Sequence, residues 1–68
     1  MTTLELLDLR IKQAEDALSI LKGQAHHTLR GLGMDPANAH HEPKVQHAHG
    51  YLNALADLRA ELIARGLI

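Results

Sequence analysis

Apolar residues in the first half of the chain recur in steps of three and four. Leu4, Leu7, Ile11, Ala14, Leu18, Leu21, Ala25, Thr28 and Leu32 follow one another at that spacing, which draws a single stripe down an α-helix and is the seam pattern of packed helices. Thr2 and Glu5 stand in capping-box relation, with Met1 and Leu6 at the flanking staple positions. Gly31 and Gly33 are both suited to stop the helix, because glycine enters the left-handed C′ conformation without a Cβ clash. The pattern predicts helix one over residues 3–30.

Residues 31–43 break the periodicity. Asp35-Pro36 reads as an N-cap followed by proline at the first helical position, so a short helical turn is expected inside this connection. Pro43 cannot continue a helix from before it without losing a hydrogen bond, but it suits the first turn of a new one. Helix two is predicted over residues 43–65: Ala48, Tyr51, Leu55, Leu58 and Leu62 keep the three-four spacing, and Val45, Leu52 and Ile63 widen the stripe. Gly66 is placed to end it, with Leu67 folding back on Leu62. At 1.5 Å per residue the helices measure ~42 and ~33 Å, and a connection of about a dozen residues lets them lie antiparallel.

The apolar stripes are too wide for one partner helix. In helix one, Leu6, Leu9, Ala17 and Ile20 flank the seam, and together they cover roughly 200° of the circumference, where a simple amphipathic helix shows little more than 100°. Helix two has a similar excess, with Arg59 inside its apolar arc. The stem of that arginine can pack while its head reaches a carboxylate such as Asp8 or Glu15 on another helix. The expected fold is all-α: residues 1–68 form one helical-hairpin domain, and two copies pair into an antiparallel four-helix bundle. The expected seam residues are Leu4, Leu7, Ile11, Leu18 and Leu21 of helix one and Tyr51, Leu55, Leu58 and Leu62 of helix two. Leu6, Leu9, Ile20, Arg59, Leu67 and Ile68 are the residues expected to meet a partner.

Composition strengthens the case for company. The chain has 68 residues, no cysteine, no Trp or Phe, and a single Tyr. A core this small rarely supplies more than ~3–5 kcal/mol, and neither disulfides nor a cysteine-based zinc site add to it. A hydrophobic content of 46% is too high for a disordered chain. A net charge of −1 makes no electrostatic case for nucleic acid or anionic lipid. The opening residues lack the basic stretch of a signal peptide, and no apolar run approaches the ~18 residues that span a bilayer. A cytoplasmic location without membrane contact is therefore expected.

All six histidines fall between His26 and His49. Neutral imidazole is a common ligand for zinc and nickel, so a metal site built from His27, His40, His41 and His47 is the alternative these residues raise. Their spacing weakens it. No two histidines stand at i,i+4, and His47 and His49 point about 200° apart on a helix. The plain reading is polar filler near helix ends, with His26 and His27 favourably placed against the helix-one dipole and His47 stacking on Tyr51. No cofactor is expected on that reading.

Catalytic chemistry has little to work with. Ser19 lies on the polar face away from the histidines, Thr28 occupies a seam position, and Gly31-Leu32-Gly33 does not follow a strand as a phosphate loop would. The expected function is a non-enzymatic protein–protein interaction module, acting as an inhibitor, anti-activator or adaptor of a larger protein. In its helix–turn–helix layout alone the chain looks like the Rop-type RNA-binding bundles, dimers of helical hairpins that grip paired RNA loops. That resemblance implies an RNA-binding alternative, although helix one has few basic residues for it. Small size, no cysteine and a lone hairpin fit a regulator encoded by a phage or plasmid, by analogy only.

Overall fold

The computed structural model describes residues 1–68. It is all-helical: a long helix α1 (Thr3–Gly31), a 3-10 helix η1 (Pro36–His41) and a second long helix α2 (Pro43–Ala64). No helix is long and apolar enough to cross a membrane.

Local chemistry sets each boundary. The Thr2 hydroxyl accepts from the Glu5 backbone N–H at 3.1 Å and donates to the Glu5 carboxylate at 3.2 Å, which satisfies one of the orphan donors at the start of α1. Gly33, at φ +73°, ends α1: its N–H donates to Arg30 O, and the next N–H, of Met34, donates to Leu29 O. Gly66, at φ +71°, ends α2 in the same way, with Gly66 N–H to Ile63 O and Leu67 N–H to Leu62 O. Both are Schellman closures, and a Cβ at either glycine would be strained. The Asp35 carboxylate caps η1 by accepting from Ala37 N–H at 2.9 Å, and Pro36 and Pro43 open η1 and α2.

The two long helices touch along their lengths with residue numbers running in opposite senses. Asp8 meets Arg59, Ala14 and Ala17 share a groove with Ala48 and Tyr51, and Leu21 lies by Pro43 and Lys44. The body measures 50 × 20 × 13 Å. Its smallest dimension is about one helix diameter and its middle one about two. Only 4 of 68 residues are buried: Ala14, Leu18, Ala39 and Val45.

Packing departs from the expected seam in two places. On α1 the inward stripe runs through Leu4, Leu7, Ile11, Ala14, Leu18, Leu21 and Ala25 but continues at Leu29, while Thr28 and Leu32 are exposed. A strict seven-residue repeat drifts by ~20° per heptad on a straight helix, so three heptads on from Leu7 the next residue along, Leu29, faces inward in place of Thr28. The Thr28 hydroxyl instead donates to Gln24 O at 3.0 Å. On α2 the inward residues are Val45, Ala48, Leu52, Leu55, Arg59 and Leu62, again in three-four steps, while Tyr51 and Leu58 are exposed in the single chain. The stripe of α2 is wide enough to offer two registers. The one used buries Val45, the first apolar residue after Pro43.

Candidate interaction surface

Each partner-binding candidate has a definite place. Leu6, Leu9, Ile20 and Leu67 are exposed, Ile68 is half-buried, and Arg59 is half-buried with its Nε donating to Asp8 Oδ1 at 2.7 Å. Of the seam candidates, Leu18 is buried and Leu4, Leu7, Ile11, Leu21, Leu55 and Leu62 are half-buried, whereas Tyr51 and Leu58 project outward. Of the two residues that pack best around the connection, Val45, 2% exposed, lies on the predicted stripe of helix two, whereas sequence reasoning passes over Ala39, 1% exposed. A small residue in a polar, histidine-rich stretch carries no periodicity to mark it.

Most of the exposed apolar side chains lie together; Ile63 of α2, 44% exposed, is an exception that projects toward the other side. Three shallow grooves run along one broad side of the body. The first is lined by Arg10, Gln13, Ala14, Ala17, Ala48 and Tyr51; the second by Leu21, Pro43, Lys44, His47 and Ala48; the third includes Leu21, Gln24, Leu29, Leu32 and Lys44. Shared residues make them continuous: Ala48 belongs to the first two, and Leu21 and Lys44 to the last two. At 100° per residue, Leu6 of α1 and Ala54 and Leu58 of α2 project on this same side, and Leu9 and Ile20 lie where it turns onto the outer edge of α1. The only charged residues lining these grooves are Arg10, Glu42 and Lys44.

The opposite broad side has one groove near the connection, lined by Lys22, His40, Val45, Gln46, His49 and Gly50, and is otherwise more charged. It carries the Asp8–Arg59 ion pair, and by the same periodicity Glu15, Ser19, Lys22 and His26 of α1 project there. Its acids, Asp8 and Glu15, lie toward the free helix ends, and Lys22 lies toward the connection.

The histidines do not assemble into a ligand set. No three His, Asp or Glu side chains are grouped to hold a metal ion. His40 and His41 sit with ring centroids 3.9 Å apart and planes tilted by 42°, His40 Nδ1 is tied to Ala37 O, and His49 Nδ1 lies 3.3 Å from Asn53 Nδ2. The expected stacking of His47 on Tyr51 is replaced by this His40–His41 pair. No polar or charged residue is buried.

No protein-family model matches the chain, and neither a curated protein nor a solved structure does. The architecture and the two-sided surface therefore carry the functional argument.

Proposed function

We propose that the chain is a non-enzymatic protein–protein interaction module: an antiparallel helical hairpin that pairs with a second copy in a four-helix bundle and docks on a larger protein as an inhibitor, anti-activator or adaptor. One observation carries this reading. The chain exposes 5032 Å², whereas a folded monomer of 7.5 kDa exposes about 4,200 Å² on the usual size scaling. The difference of roughly 800 Å² is what one partner contributes to a standard protein interface. The surplus includes large side chains that ordinarily seek cover, such as Ile20 at 62% exposure and Tyr51 at 52%.

Sedimentation equilibrium at micromolar concentration tests the self-association, and a dimer is expected. A folded monomer at that concentration removes this part of the proposal. Capture from cell extract by the wild-type chain and by Leu9→Asp/Ile20→Asp tests the docking. The expected result is a partner held by the wild type and lost by the variant; identical captures would argue that these residues bind nothing.

A further inference from the structure

We infer that the grooved broad side, and not the charged one, is the surface that pairs with a second copy, layer on layer, with the two connections at opposite ends. This rests on the self-association proposed above and specifies its face and direction. The first argument is area. The broad side measures 50 × 20 Å, a footprint of about 1,000 Å² against the ~800 Å² per partner of a stable interface. A second body of the same width covers it fully, whereas a single foreign helix, about 10 Å across, covers one groove and leaves a flank wet.

The second argument is segregation of charge between the sides. Stacking the grooved sides buries Ala17, Tyr51 and Leu58 and leaves the Asp8–Arg59 pair, Glu15 and Lys22 in water. Stacking the other sides would desolvate those charges, which costs several kcal/mol per ion without good pairing. Arg10 and Lys44 line these grooves, and stacking covers their long stems while the heads must reach past the apolar surface to water or to a carboxylate of the second copy.

Direction follows from charge along the body. The half with the free helix ends, residues 1–16 and 50–68, holds six carboxylates and four bases. The connected half holds Lys22, Arg30 and Lys44 against Asp35 and Glu42, together with all six histidines. Opposed stacking sets each negative half on a positive one, and like-ended stacking sets like on like. Both arrangements keep neighbouring helices antiparallel, so end charge is what separates them. Opposed stacking also leaves Leu9 and Ile20, on the outer edge of α1, open for the larger partner.

Two measurements on the full chain test this. Tyr51→Glu and Leu58→Glu are each expected to weaken the dimer by ~100-fold or more, because a carboxylate is buried unpaired. Ser19→Glu, the same charge on the opposite side, is expected to change it less than threefold. A dimer indifferent to Tyr51→Glu and Leu58→Glu overturns the inference while leaving self-association standing, whereas a monomeric wild type overturns the self-association itself. The second measurement needs no disruptive substitution. The chain has no cysteine, so a spin label on Met34→Cys, at the connected end, reports one distance per dimer. Opposed stacking places the two labels about 40 Å apart, near the length of α1, and like-ended stacking about 20 Å. The shorter distance overturns the direction.

Discussion

The connected end and the free end of the two long helices are held together in different ways. At the connected end η1 folds across the helix pair as a third element, and the two most deeply buried side chains, Ala39 and Val45, lie there. At the free end Leu4, Leu7, Leu62 and Ile68 are only half-covered, no third element crosses, and the Asp8–Arg59 ion pair bridges the gap. Two parallel cylinders touch along a line and enclose little, here Ala14 and Leu18 at 6% and 7% exposure. Fuller enclosure comes with a third element, and a six-residue 3-10 helix is enough to supply it locally. The consequence is a gradient of local stability along the long axis, with amide exchange slowest around Val45 and fastest at Leu4 and Leu62.

Substitutions can break that contrast, and their effects are ordered by burial. Ala39→Asp is the most severe. It places an unpaired carboxylate at a site 1% exposed, so urea denaturation at fixed protein concentration is expected to show a loss of ~3 kcal/mol or more, with η1 undocked. Val45→Ala removes two methyl groups from full burial and is expected to cost ~2 kcal/mol in the same assay. If both substitutions cost less than Leu4→Ala, the gradient runs the other way. Thr2→Ala, which removes the α1 cap at the free end, is expected to cost ~1 kcal/mol. Asp8→Asn is the mildest: the ion pair is exposed, with side chains 37% and 52% accessible, and such pairs contribute ~0.2–1 kcal/mol, less as salt rises. A salt-independent loss above that range would show that the free end depends on the pair more than its exposure implies.

How much of this could be read from sequence differs between backbone and side chains. The residues that stop and start helices act through their own backbone and immediate neighbours. Thr2, Asp35, Pro43 and Gly66 therefore mean the same in isolation as in the fold. Seam register is a tertiary matter. On α2, Tyr51 and Leu58 continue one three-four series and Leu52 and Arg59 another, and nothing within the helix separates them. The second series is the one that faces α1, with Val45 buried near its start. Arg59 belongs to it, half-buried with Asp8 within reach, although a charged residue on an apolar arc looks like an outward-facing exception. For the interaction surface, periodicity reveals that Leu6, Leu9 and Ile20 exceed what one helix can cover. It does not reveal that Leu6 of α1 and Tyr51 and Leu58 of α2 turn toward the same side, because that depends on how the two helices are rotated against each other.

The 13 Å thickness of the body has a further consequence. Nothing in it lies deeper than a single side chain, so the chain has little interior of its own. If a second copy supplies cover, folding becomes a bimolecular event, and the folded fraction depends on how many copies are present as well as on temperature and solvent. Dilute chains would stay largely open and be removed by proteolysis, and chains above the dissociation constant would persist. Such a protein carries its own abundance threshold: it switches from short-lived to long-lived as its concentration rises, with no ligand required to report the change.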